Sequence, residues 1–232
     1  MGDLCKGRVA IVTGGAASLG KAIAGGLARR GASVVIADRD AAGAACLQLE
    51  IEAAGGTALA VDVNVLDEPS LQRMLEIAIG RFGQIDFLVN NAGMLGPIRP
   101  MLETTDADVD RVFGLNVRAV YACTRIVARH MIERRRGHVV TIGSIAGRIG
   151  SPFEAIYSAT KFAGIGLTEA LVVELEPYGI GVSMVNPGPV ATDFGAARGH
   201  PYDRQRPKPV SAERVADAVI AAVVKGQHEG YV

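Results

Sequence analysis

Short apolar, β-branched runs alternate with longer helical patterns along this 232-residue chain, and that alternation constrains the fold more than any other feature. Strand-like runs stand at residues 8–13, 33–37, 57–61, 85–89, 138–142 and 180–185, and a seventh begins near residue 230. Helical patterns fill the intervals at 19–30, 40–54, 68–81, about 106–133, 157–176 and 211–225. The strand-like runs are apolar throughout, so both faces of the sheet need cover. Strict βα alternation predicts an α/β fold with a parallel sheet and right-handed crossovers. No linker interrupts the pattern, so residues 1–232 are expected to form one domain. The stretch 188–209, rich in Gly, Pro and Arg, is too long for an ordinary connection. It reads as a substrate loop or lid, with a passive surface loop as the alternative.

Formal charge balances at 24 basic against 24 acidic residues, which argues for neither nucleic acid nor an anionic membrane as a partner. Arg134-Arg135-Arg136 is expected at a helix end, where it complements the helix dipole. Cys5, Cys46 and Cys123 are odd in number and lack disulfide or metal spacing, which suits a reducing cytoplasm. No apolar run is long enough to span a bilayer, and the first residues carry no long apolar targeting core. Asp106, Asp108 and Asp110 imitate the start of a calcium loop. Arg111 stands where such a loop needs glycine and Val117 where it needs glutamate, so no metal is expected. The three aspartates read instead as an acidic helix N-terminus.

Thr13-Gly14-Gly15-Ala16-Ala17-Ser18-Leu19-Gly20 joins the first predicted strand to the first predicted helix. Small residues there let backbone approach a diphosphate, and the helix N-terminus favours its charge. A glycine-rich turn alone is weak, because many are merely turns. Its setting sharpens it: Asp38 ends the next strand, placed to bind the ribose hydroxyls of NAD. A phosphate dianion about 4 Å from that carboxylate would be repelled by roughly 2 kcal/mol even in water. This exceeds a tenfold preference and predicts NAD(H) over NADP(H). Arg39 offsets part of the repulsion and leaves room for NADP(H).

Tyr157 and Lys161 stand four residues apart at the start of a predicted helix and so share one face. A free tyrosine titrates near ~10, too high for efficient proton exchange at neutral pH. A lysine cation about 4 Å away, at an effective dielectric of about 20, stabilises the phenolate by ~4 kcal/mol. That is roughly three pK units. Alone, such a pair is also what an exposed tyrosine beside a solvated lysine looks like.

The nucleotide turn, Asp38, Asn90-Asn91-Ala92-Gly93, Asn116, Ser144, Tyr157 and Lys161, in this order, resemble the short-chain dehydrogenase/reductase family along nearly the whole chain. The resemblance implies a Rossmann-like, doubly wound parallel sheet of about seven strands, and a homodimer or homotetramer. It also implies hydride transfer between a nicotinamide and a small-molecule carbonyl or alcohol. In the family's turn, Thr-Gly-x-x-x-Gly-x-Gly, Thr13, Gly14 and Gly20 match while Ser18, just before Leu19, replaces the middle glycine. A serine there can cap the helix or donate to a phosphate, but it removes the closest backbone approach.

By the same resemblance, Asp62 and Val63 match the adenine edge, and Asn90, Ala92 and Gly93 match the turn beside the adenosine ribose. Pro187, Gly188, Val190 and Thr192 match the segment near the nicotinamide. Ser144 is implied to hold and polarise the substrate oxygen, and Tyr157 to exchange a proton with it. Lys161 is implied to lower the tyrosine pKa and bind the nicotinamide ribose, and Asn116 to anchor a water in the proton relay. Met94, Ile145, Phe153, Glu154, Gly188 and Phe194 are expected, by analogy, to line an apolar substrate pocket with one acid near its rim. Two other readings compete: an epimerase or dehydratase of the same family, and an NAD-binding sensor without turnover.

Overall fold

The computed structural model describes residues 4–192, 194, 208–226 and 228–232. Its strands are β1 (Val9–Thr13), β2 (Ser33–Asp38), β3 (Thr57–Asp62), β4 (Phe87–Asn90), β5 (Gly137–Ile142), β6 (Ile180–Asn186) and β7 (Glu229–Tyr231). They form one parallel sheet in the order β3-β2-β1-β4-β5-β6-β7. The helices are α1 (Ser18–Ala28), α2 (Ala41–Ala53), α3 (Glu68–Phe82), α4 (Asp106–Phe113), α5 (Ala119–Arg134), α6 (Ala155–Leu175) and α7 (Ala212–Lys225). Apart from the long helix predicted over 106–133, predicted and observed elements agree in type and order, with ends displaced by one or two residues. The middle of the predicted loop, 195–207, lies outside the described residues.

Two apolar layers sandwich the sheet because neighbouring strand residues point to opposite faces. Ala10, Val12, Val34 and Ile36 pack with α1, α2 and α7 on one side. Val9, Ile11, Val35 and Ala37 pack with α3, α5 and α6 on the other. Every residue of β1 is buried, as the unbroken apolar runs require.

One expectation needs correction. The single helix predicted over 106–133 divides into α4, a π-helical turn at Gly114–Arg118, and α5. A π turn inserts one residue without breaking the helix, so apolar periodicity does not reveal it. The insertion matters because Asn116 lies in it and is buried. The acidic start of α4 is as expected: Thr105 and Asp108 form a reciprocal capping box. The three arginines do sit at the end of α5, where Arg134 and Arg136, with Arg8, surround the buried Asp86 carboxylate.

Candidate active site

The strand order reverses between β1 and β4, and open parallel sheets bind ligands at the carboxyl ends of the strands at such a point. A cavity of about 1500 Å³ lies there. On one side is the turn after β1. Gly14 takes a left-handed φ of 62°, and a side chain at Gly20 would place its Cβ 1.9 Å from the Gly14 carbonyl oxygen. Both positions therefore need glycine.

Ser18 does not cap α1. The cap position is Ala17, which makes no side-chain cap hydrogen bond, and Ser18 itself holds a left-handed φ of 49°. The backbone keeps the shape that a glycine would adopt, at the cost of strain. Beside this turn Asp38 accepts from Ala16 N and Asp40 N, each at 3.0 Å, which braces the carboxylate at the end of β2.

The other side of the cavity holds Ser144, Tyr157 and Lys161. Ser144 follows β5, and its Oγ accepts from Ala146 N at 3.1 Å. Tyr157 sits in the first turn of α6, 7% exposed, with its ring 6.3 Å from that of Phe194. Lys161 stands one helical turn on. Its Nζ donates to the Ile142 carbonyl at 2.8 Å and lies 5.5 Å from the centre of the Tyr157 ring. Burial pushes the Lys161 ammonium down to about 8, so at neutral pH the cation predominates and faces the tyrosine.

Of the residues singled out in the sequence, Gly14, Ser18, Leu19, Gly20, Ala92, Gly93, Ser144, Tyr157, Lys161, Pro187, Gly188, Val190 and Thr192 line this cavity. Others stand behind its wall. Thr13 Oγ1 accepts from Asn91 N and Ala92 N, tying the ends of β1 and β4 together. Asn90 turns away, its Nδ2 bonding Thr124 Oγ1 at 2.8 Å. Val63 is buried, its N–H donating to the Asp38 carbonyl, while Asp62 and Arg39 are exposed at the same edge of the sheet. Asn116 uses its side chain on protein partners: Nδ2 donates to Met94 O and Thr160 Oγ1, and Oδ1 accepts from Met94 N.

The expected substrate pocket is partly corrected. Ile145, Gly188 and Phe194 line the cavity; Met94, Phe153 and Glu154 do not. Phe153 is exposed with a left-handed φ of 64°, and Glu154 is buried at the start of α6 rather than standing at the rim. Leu95 and Ile149 are lining residues that sequence reasoning missed. It missed Asn91 too, whose Nδ2 reaches the Thr13 and Gly14 carbonyls at 2.9 Å and holds the glycine turn. Its place in Asn90-Asn91-Ala92-Gly93 was the available signal. Among the described residues, the charged side chains lining the cavity are Lys161, Lys208 and Arg214, all cations.

These features fit a dinucleotide. An uncapped helix N-terminus without acids in its first turn, a glycine that excludes any Cβ, and cationic walls suit a diphosphate. The braced Asp38 carboxylate suits ribose hydroxyls.

A family model described as short chain dehydrogenase matches residues 8–203. A 3-oxoacyl-[acyl-carrier-protein] reductase of Synechocystis is 38% identical over 191 residues, 81% of this chain and 76% of that protein. A 7α-hydroxysteroid dehydrogenase, solved with NADH and 7-oxo glycochenodeoxycholic acid, superposes with a TM-score of 0.91. It is 29% identical, and the match covers 99% of this chain and 94% of that one. A metagenomic short-chain oxidoreductase solved with NADP gives a TM-score of 0.85 at 29% identity, covering 99% and 98%. On this sheet, this cavity and these matches, the chain belongs to the short-chain dehydrogenase/reductase family, enzymes that act on CH–OH and C=O groups with a pyridine nucleotide.

Proposed function

We propose that this protein reduces a carbonyl, or oxidises a secondary alcohol, with NAD(H) as the preferred nucleotide. One observation carries the reading: Ser144, after β5, and Tyr157 and Lys161, at the start of α6, line one cavity with the glycine turn, which lies remote from them in sequence. The nicotinamide, when bound, supplies or takes the hydride. Gly14, Leu19 and Gly20 would hold the diphosphate by backbone, and Asp38 the adenosine ribose. Val190 and Thr192 would hold the carboxamide. Ser144 Oγ donates to the substrate oxygen and orients it. Tyr157 gives its proton to that oxygen in reduction and takes it back in oxidation. Lys161 stabilises the phenolate between these steps. The apolar wall formed by Leu95, Ile145, Ile149 and Phe194 keeps water from the reacting carbon and favours an apolar substrate.

The proposal extends to a homodimer or homotetramer, supported by exposed Tyr121, Phe162 and Val173 on α5 and α6. It also includes a cytoplasmic setting, supported by the free thiols of Cys5, Cys46 and Cys123. Among the described residues no helix is long and apolar enough to cross a membrane.

Nicotinamide absorbance during turnover tests the reading, with ketones, 3-oxoacyl thioesters and secondary alcohols each offered with both nucleotides. Turnover with NADH that Tyr157→Phe abolishes, while NADH still binds, is the expected result. Tight NADH binding with no turnover on any substrate would favour a sensor instead.

A further inference from the structure

Thr160 lies in α6, fully buried, three residues after Tyr157 and one before Lys161. Its Oγ1 donates to the Tyr157 carbonyl at 2.7 Å and accepts from Asn116 Nδ2 at 3.0 Å. The direction is fixed, because an amide nitrogen only donates and the hydroxyl proton is left for the carbonyl. The other Nδ2 proton of Asn116 goes to Met94 O, and its Oδ1 takes Met94 N–H, both at 2.8 Å. One line of hydrogen bonds thus joins the turn after β4, the π turn and the first turn of α6. Gly93 and Leu95, on either side of Met94, both line the cavity.

Buried threonines in helices commonly bond back to a carbonyl one turn earlier. Thr168 does this to Gly164 at 2.9 Å and, among the described residues, does nothing more. Thr160 differs in taking Asn116 as well. Deleting its hydroxyl would leave an Asn116 proton without an acceptor in a buried place.

We propose that Thr160 is a positioning residue, whose hydroxyl locks the first turn of α6 to the π turn and so sets where Tyr157 meets the substrate oxygen. The proposal rests on the oxidoreductase reading.

Thr160→Val, Thr160→Ala and Thr160→Ser test it, read by kcat, by NADH dissociation constant and by hydrogen exchange of the peptide holding Met94. Small misplacements of a reacting group cost large factors in rate, so the Val and Ala variants should lose about tenfold or more in kcat. Serine should return most of it, and NADH affinity should stay within about twofold throughout. Exchange at Met94 should quicken in the Val and Ala variants but not in the Ser variant. Should the valine variant fail to fold, the smaller alanine carries the comparison. Unchanged kcat in the hydroxyl-free variants overturns the proposal. So does a serine variant as slow as valine, which would assign the effect to the methyl group, or a loss confined to NADH affinity. A wild-type protein that neither binds nucleotide nor turns over overturns the functional reading, and the role of Thr160 with it. That result is distinct from an active wild type with equally active variants.

Discussion

Arg148 Nη2 lies 2.7 Å from Glu229 Oε1, and this pair fastens the loop after Ser144 to the last strand of the sheet. The same oxygen accepts from Asn186 Nδ2 and from the Tyr231 hydroxyl, each at 2.8 Å. Asn186 and Tyr231 both line the cavity. A surface ion pair alone contributes little, but a shared network of donors is better ordered.

The Glu229 network should be visible as a pH effect. Burial alone would raise the Glu229 carboxyl, but hydrogen bonds from Arg148 and Tyr231 outweigh it and hold the group below the usual carboxylate range. A depressed carboxyl stabilises the fold above its unfolded pKa, about 4.3, and that contribution fades as pH falls through the lower folded value. Wild type should therefore melt above Glu229→Gln at pH 6, and the gap should close below about pH 4. A gap constant across melting curves from pH 3 to 7 would contradict this.

Lys161 carries the opposite signature. Its folded pKa, near 8, lies below the ordinary lysine value, so the folded state binds fewer protons than the unfolded one between the two. Its destabilising contribution is full below pH 8 and is relieved as pH rises toward about 10.4. Lys161→Met should abolish turnover, yet melt at or above the wild-type temperature at pH 7. The difference should shrink between pH 8 and 10. Calorimetry of both proteins across that range decides it.

Ser18 is a site where a substitution should help. Its left-handed φ of 49° costs a non-glycine residue roughly 1–2 kcal/mol. Ser18→Gly relieves this, less the entropy that glycine gains in the unfolded chain. A net gain of about 1 kcal/mol would raise the melting temperature by roughly 2–4 °C in a chain of this size. NADH should bind more tightly as backbone moves closer to the diphosphate. A lower melting temperature would show that the serine hydroxyl matters more than the strain.

Nucleotide choice should turn on Asp38. Asparagine removes the charge and keeps one oxygen, which can accept from Ala16 N or Asp40 N but not from both, since these bond different oxygens of the carboxylate. The ratio of NADPH to NADH dissociation constants should fall about tenfold in Asp38→Asn, in line with the Coulomb cost of a phosphate beside a carboxylate. Fluorescence titration of both nucleotides measures it, and an unchanged ratio would remove Asp38 from the preference.

Much of the site was legible because its residues mark element ends. Gly14 and Gly20 flank the first strand–helix turn, Asp38 ends β2, and Tyr157 and Lys161 share a helical face. What misled the reading were side chains whose direction depends on a partner remote in sequence. Asn90 and Asn91 are neighbours in one motif, yet the first bonds Thr124 on α5 and the second holds the glycine turn. Glu154 is as polar as any rim residue, but its place at the start of α6 buries it.

The alternation of apolar runs and helical patterns determined the parallel sheet, its helical cover and the order of elements, because local periodicity reflects which face must leave water. The spacing of Tyr157 and Lys161 likewise determined that they share a face. Only the tertiary structure decided that Lys161 reaches the Ile142 carbonyl, that Asn116 lies inward in a π turn, and that Thr160 joins it to the Tyr157 carbonyl. Those contacts join residues 19 and 44 positions apart or depend on a one-residue bulge. Hydrogen bonds of that reach form only where packing has already brought the segments together, and neither pattern nor propensity carries that information.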